Sequence, residues 1–144
     1  MRTRRSIALA GLGLAVLVSG CKLFDDPTPH DITVHLTGTA DVEIVLSKQF
    51  VAGVDELGTT HVQVFQSDTL YRTLPMDTIV DVEVDRRLFV QVTPQGVEQT
   101  TMGTRIDVNE RNVLNDSGDI FASNPWRYVY LFNQQVTQIV DVVF

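Results

Sequence analysis

Cysteine is almost absent from this chain of 144 residues, and basic residues are few. The single cysteine, Cys21, excludes an intramolecular disulfide and a zinc site built on cysteines. Eleven Lys and Arg against 18 Asp and Glu give a formal net charge of −7, which argues against sequence-independent binding to nucleic acid phosphates. The length leaves room for one domain and little for a second.

The short motifs of common catalytic sites are also missing. The chain has no Gly-x-Ser-x-Gly elbow and no glycine-rich phosphate-binding loop. Carboxylates are plentiful, but an acidic surface always offers pairs, and nothing in the sequence marks one pair as buried. We therefore expect neither enzymatic activity nor a cofactor.

No apolar run is long enough for a helix that crosses a membrane. The run at residues 7–18, IALAGLGLAVLV, has twelve residues, whereas about 20 are needed to cross ~30 Å of hydrocarbon. Arg2, Arg4 and Arg5 precede it, and no acidic residue does. Basic residues followed by a short apolar run are typical of a secretory signal peptide, so we predict a signal helix at residues 1–20 that is removed.

The residues around Cys21 resemble the lipobox of bacterial lipoproteins. The stretch Val18-Ser19-Gly20-Cys21 places small residues directly before the cysteine. The resemblance implies cleavage between Gly20 and Cys21, a diacylglycerol thioether on the Cys21 thiol, and a further fatty acid such as palmitate on the freed amine. At about 0.8 kcal/mol per buried CH₂, several acyl chains make membrane attachment long-lived. An ordinary secretory signal and a retained signal anchor are the alternatives.

Cleavage would leave an acidic domain on a membrane anchor. Residues 21–144 carry 8 Lys and Arg and 18 Asp and Glu, a formal net charge of −10. Lys22 stands where, under the enterobacterial sorting rule, an Asp favours retention in the inner membrane, so the resemblance implies delivery to the outer membrane. We predict a flexible tether at residues 21–30, which contain Pro27 and Pro29, and a folded domain at 31–144.

From Asp31 onward, apolar and polar residues alternate with period two, and helical periodicity is missing. The alternation predicts an all-β, antiparallel sandwich of about seven to nine short strands. We expect hairpins that pair residues 32–36 with 42–46, 80–84 with 88–92, and 106–108 with 113–114, and a loop at 49–60. The order of these features resembles small immunoglobulin-like domains of bacterial envelope lipoproteins, which implies an immunoglobulin-like sandwich.

Several residue groups are candidate sites. Trp126, Tyr128 and Tyr130 share one face of a strand and form a candidate platform for a sugar or a partner protein, with core packing as the alternative. His30, His35 and His61 are possible metal ligands, but the strand positions of the last two predict solvated side chains. The acidic stretch 115–119 predicts a solubilising turn rather than a calcium loop. The acidic face of Asp81, Glu83 and Asp85 predicts the wet side of a sheet.

The function expected from these features is that of a lipid-anchored envelope protein whose sandwich serves as a binding or structural module. Its partners would be the membrane, through the acyl chains, and another envelope protein, with no role for nucleic acid. A module that binds a glycan or a cation is the alternative.

Overall fold

A computed structural model describes residues 28–132, 134–137 and 139–144. The predicted signal peptide, the cleavage site at Gly20 and Cys21, and residues 21–27 of the predicted tether lie outside the described residues. The described chain contains strands and no helix. Its ten strands are β1 (Asp31–Thr37), β2 (Asp41–Val54), β3 (Thr60–Thr73), β4 (Met76–Asp81), β5 (Arg87–Pro94), β6 (Gln99–Val108), β7 (Arg111–Phe121), β8 (Trp126–Leu131), β9 (Gln134–Val136) and β10 (Ile139–Val143).

The strands form two sheets that pack as a sandwich. The four-stranded sheet has the order β4-β1-β6-β7, and the six-stranded sheet has the order β10-β3-β2-β5-β8-β9. The all-β prediction is confirmed, but the predicted strand number and length are too small, because β2 and β3 each have 14 residues. One pairing also departs from the antiparallel prediction, since β10 runs parallel to β3.

Two of the three predicted hairpins are wrong. β1 and β2 lie in different sheets, and so do β4 and β5, so the turns that follow Thr37 and Asp81 carry the chain across the sandwich. β1 pairs with β4 and β6 instead, and β5 pairs with β2 and β8. The predicted pairing of residues 106–108 with 113–114 is confirmed as part of β6 and β7.

The predicted loop at 49–60 is largely strand. β2 continues to Val54, β3 begins at Thr60, and the two pair along almost their whole length. The pairing shifts between Leu46 and Phe50, where Ser47 is buried and its hydroxyl donates to the carbonyl oxygen of Gln66 and accepts from the backbone N–H of Gln49 at 3.0 Å. Ser47 thereby satisfies two backbone groups, the carbonyl of Gln66 and the N–H of Gln49, at the point where the regular strand pairing is interrupted. The interruption is a β-bulge, and it allows the long β2–β3 hairpin to bend.

The main core fills the space between the two sheets. The inward residues of β1, Ile32, Val34 and Leu36, pack there against residues of the facing sheet. These are all fully buried, as the period-two alternation predicts for the inner face of a sandwich. The facing residues include Val42, Ile44, Leu88, Val90, Val92, Tyr128 and Tyr130.

A second core lies on the opposite face of the six-stranded sheet. Phe89 on β5 is 0% exposed there and packs with Phe50 of the bent hairpin and with Val129 of β8. β5 is therefore buried on both faces, with Leu88 in the main core and its neighbour Phe89 in the second. The other members of the second core are Val45, Val62, Val64 and Ile139.

The six-stranded sheet is curled around this second core. β9 and β10 lie at opposite edges of the strand order, five strand spacings apart, which amounts to about 24 Å in a flat sheet. Val136 and Ile139 are only three residues apart in the chain, and three residues span at most about 11 Å. The two edges must therefore approach each other. Arg127 of β8 donates from its guanidinium to the carbonyl oxygen of Ile139 at 3.5 Å, which is consistent with that closure.

The start of the described chain is fixed to the sandwich by Asn109. The side-chain amide of Asn109 donates to the carbonyl oxygen of Thr28 at 2.9 Å, and its oxygen accepts from the N–H of His30 at 2.7 Å and of Asp31 at 3.3 Å. Pro29 is buried between them, and the N–H of Val82 donates to the carbonyl of His30 at 2.7 Å. Residues 28–30 of the predicted tether are thus part of the folded domain.

Candidate functional site

The outer face of the four-stranded sheet carries a polar groove centred on His35. Its Nδ1 lies 2.7 Å from Oδ1 of Asp77 on β4, and its Nε2 lies 3.2 Å from Oδ2 of Asp107 on β6. Each ring nitrogen of His35 thus faces a carboxylate oxygen of a neighbouring strand, and the side chain joins β1, β4 and β6.

Asp107 is the buried member of this groove, with a side chain only 7% exposed. Arg105 donates to both of its oxygens, Nε to Oδ1 at 3.0 Å and a terminal nitrogen to Oδ2 at 2.9 Å, and Asn112 donates to Oδ1 at 3.0 Å. The hydrogen bond from Arg105 lowers the pKa of Asp107, burial opposes it, and Asn112 and His35 lower it further. Asp107 is thus held as a carboxylate that positions His35 and Arg105.

Small side chains form the floor of the groove beside this cluster. Thr37, Gly103 and Ser117 lie next to one another across β1, β6 and β7. A Cβ atom at Gly103 would come within 2.4 Å of the hydroxyl oxygen of Thr37, so glycine is required for the observed Thr37 rotamer. The groove has a volume of about 660 Å³ and is open to solvent.

The groups that line this groove suit a polar ligand. The side chain of Arg105 is half exposed, and Asn115 and Asp116 of β7 lie exposed along the rim. These side chains offer both donors and acceptors, and the lining has no large apolar residue. A hydroxyl-rich molecule such as a sugar fits this inventory better than an apolar one does.

His61 forms a second and more exposed cluster with carboxylates. Its Nε2 lies 3.0 Å from Oδ2 of Asp55, and its Nδ1 lies 4.0 Å from Asp141 of β10. The His61 hydrogen bond, followed by those from the N–H groups of Thr59 and Leu57, lowers the pKa of Asp55. This cluster ties the tip of the β2–β3 hairpin to β10.

The described residues contain no group of three or more His, Cys, Asp and Glu side chains that could hold a metal ion. His30, the third histidine, lies 3.6 Å from Glu83. The carboxylates of the acidic face, Asp81, Glu83 and Asp85, contact different partners and do not converge on one point. Asp85 pairs with Lys48 at 3.5 Å, and Asp81 accepts from the backbone N–H of Glu83 at 2.9 Å.

The predicted turn at 115–119 is wrong, because these residues lie inside β7. Asp119 accepts hydrogen bonds from Gln99 at 2.8 Å and from Thr101 at 2.7 Å, both on the neighbouring strand β6. Asp116 accepts from the N–H of Ser117. Asp116 and Asp119 therefore lie on β7, an edge strand of the four-stranded sheet, where charged side chains disfavour pairing with another chain.

The candidate aromatic platform is mostly interior. Tyr128 and Tyr130 are buried in the main core, as the core-packing alternative has it, and burial raises the pKa of Tyr128 well above its usual range. Trp126 is half-buried and stacks on Tyr128 with ring centroids 6.0 Å apart and planes 1° from parallel. Of the three rings, a ligand from solvent would reach mainly Trp126.

Sequence reasoning missed the His35 groove because its members come from four strands. His35 was expected to be solvated, and the carboxylates that contact it lie on β4 and β6. The one local signal is the pair Arg105 and Asp107, which two-residue spacing places on the same side of a strand.

Comparison of the chain with protein-family models, with curated proteins and with solved structures finds no match. Within the residues described, no helix is both long and apolar enough to span a membrane.

Proposed function

We propose that this chain is a lipid-anchored protein of the bacterial cell envelope. The observation that carries the proposal is the N-terminal pattern, in which Arg2, Arg4 and Arg5 precede a twelve-residue apolar run and the lipobox-like Val18-Ser19-Gly20-Cys21. In this proposal the acylated Cys21 is the membrane anchor, and the outer membrane is the destination because Lys22 stands where an Asp would favour retention in the inner membrane.

The sandwich serves as a binding or structural module, which acts on another envelope protein rather than as a catalyst. His35 and His61 each contact carboxylates of neighbouring segments, and these contacts suit a role in joining parts of the sandwich. Anchoring raises the concentration of such a module at the membrane. The cross-sheet turns after β1 and β4 support an immunoglobulin-like arrangement of the sandwich.

A glycan-binding module is the second candidate, and the His35 groove favours it. Arg105, Asn115 and Ser117 line a polar groove whose floor at Gly103 has no side chain. The cation alternative has less support, since both nitrogens of His35 and the carboxylate of Asp107 already contact protein groups.

The test is metabolic labelling with a palmitate analogue in a bacterial host, comparing the parent with Cys21→Ala. We expect label on the parent, and no label and a slower-migrating precursor for the variant. Ser19→Ala keeps a small residue before the cysteine and is the matched control, which should be labelled as the parent is. If Cys21→Ala is processed and membrane-bound like the parent, the anchor proposal fails.

A further inference from the structure

The place where the chain enters the sandwich is fixed at one end of the molecule. Asn109 binds Thr28, His30 and Asp31 at that end, and the β4–β5 loop holds the carbonyl of His30 through Val82. We call this the tether end. It comprises Thr28–His30, loop 82–86, turn 109–110 and Phe132, whose N–H donates to the carbonyl of Arg86 at 3.2 Å.

Little chain separates the tether end from the proposed anchor. Seven residue steps join Cys21 to Thr28, and at up to 3.6 Å each they reach at most about 25 Å. A protein acylated at Cys21 therefore holds its tether end within about 25 Å of the bilayer, which is about the length of a strand of seven or eight residues.

The tether end also presents apolar side chains without a partner in the described chain's core. Val84 is 89% exposed in loop 82–86, and Phe132 is 57% exposed beneath the guanidinium of Arg87, which lies 5.6 Å from the ring centroid. An apolar residue beside arginine suits the boundary between headgroups and acyl chains, where the ring enters and the cation stays with phosphate.

The charge distribution permits this contact although the domain as a whole is acidic. Four of the eight Lys and Arg residues in 21–144 lie at or beside the tether end, where five acidic residues also lie, so this end is nearly neutral; the acidic residues are Asp31, Asp81, Glu83, Asp85 and Glu110. Anionic lipids would otherwise repel a domain of formal charge −10. The four basic residues are Lys48, Arg86, Arg87 and Arg111.

We propose that the tether end rests on the phospholipid bilayer, with Val84 and Phe132 at the level of the headgroups. This inference depends on the proposed function, because the acylated Cys21 supplies the attachment. The contact fixes the orientation of the sandwich and leaves the β5–β6 turn, residues 95–98, directed away from the membrane.

The test uses the full acylated protein, purified from membranes and reconstituted into vesicles of phosphatidylethanolamine and phosphatidylglycerol that contain brominated phosphatidylcholine. Trp126 is the only tryptophan, so a Trp126→Phe background allows one reporter at a time. Val84→Trp reports on the tether end. Val97→Trp, at a residue 48% exposed on the β5–β6 turn, is the matched control. Phe132→Trp is a second reporter in case Val84→Trp disturbs the loop.

We expect brominated lipid to quench the reporters at 84 and 132 about twofold or more relative to the reporter at 97, because bromine quenches only tryptophan that reaches the bilayer. Equal quenching, or none at 84 and 132, in protein whose mass shows acylated Cys21 would overturn the contact and leave the anchor standing. Protein with an unmodified Cys21 would overturn both proposals.

Discussion

Replacing Phe89 by alanine tests whether the six-stranded sheet truly encloses a second core. Phe89 is 0% exposed, and its ring meets Phe50 at a centroid distance of 6.2 Å and Phe144 at 6.3 Å. Truncation of a buried phenylalanine to alanine costs about 3–5 kcal/mol, of which each aromatic pair supplies about 0.5–1.5 kcal/mol. An ordinary sandwich strand with one wet face would lose almost nothing at this position.

The assay is urea unfolding of residues 22–144 at pH 7. With a slope of about 1.5 kcal/mol per molar urea, a loss of about 4 kcal/mol lowers the midpoint by about 2.5 M. Phe89→Leu retains burial, so a smaller loss of under about 1.5 kcal/mol keeps the measurement possible if Phe89→Ala does not fold. Phe65→Ala, at a residue 62% exposed, is the matched control and should change stability by less than about 0.5 kcal/mol. Equal midpoints for Phe89→Ala and Phe65→Ala would refute the second core.

Three further predictions concern the polar groove and the start of the domain. The pKa of Asp107 is lowered in the folded state, so its carboxylate stabilises the fold above about pH 4, and this stabilisation is lost as the pH falls further. We therefore expect Asp107→Asn to lower the free energy of unfolding by about 1.5–3 kcal/mol at pH 7 and by much less at pH 3, measured by urea unfolding. A difference independent of pH would contradict this. Gly103→Ala should destabilise by about 1–2 kcal/mol through its clash with Thr37, and the added substitution Thr37→Ala should restore most of the loss in a double-mutant cycle. Asn109→Gly keeps the positive φ of 49° but removes the side chain, so amide exchange at His30 and Asp31 should accelerate without global unfolding; unchanged exchange would show that Asn109 does not hold this segment.

Much of the strand content could be predicted from the sequence because alternation reports burial directly. In residues 32–36 the alternation places Ile32, Val34 and Leu36 on one face, and all three are buried. Strand partners were harder to assign, since a short turn such as residues 38–40 can either fold a hairpin or cross between sheets. Which of the two occurs depends on contacts with β4 and β6, which local sequence does not contain.

The second core left a signal that period-two analysis ignores. In the sequence Leu88-Phe89-Val90, the apolar residues are continuous, which is typical of a strand buried on both faces. Counting only alternate residues places Phe89 on the opposite, wet face from Leu88 and Val90. The hairpin bends over Phe89 at the bulge near Ser47. This bulge is defined by the pairing of β2 with β3, so the residues around Ser47 do not predict it by themselves.

The candidate site was the least predictable part of the molecule. The tyrosines of β8 were noticed because they are large, yet they are buried in the core. The groove residues are individually ordinary, and only the register of four strands places His35 between Asp77 and Asp107. Coulombic and hydrogen-bond coupling across strands is a property of the assembled sheet.

The curled sheet has a consequence for where this protein can diversify. A two-sheet sandwich has four broad faces. Here the main core lies between the two inner faces, and the bent β2–β3 hairpin covers the outer face of the six-stranded sheet. Substitutions on β5 therefore meet packed neighbours in either direction. The remaining broad face, across β4, β1, β6 and β7, is where new specificity can evolve without disturbing either interior.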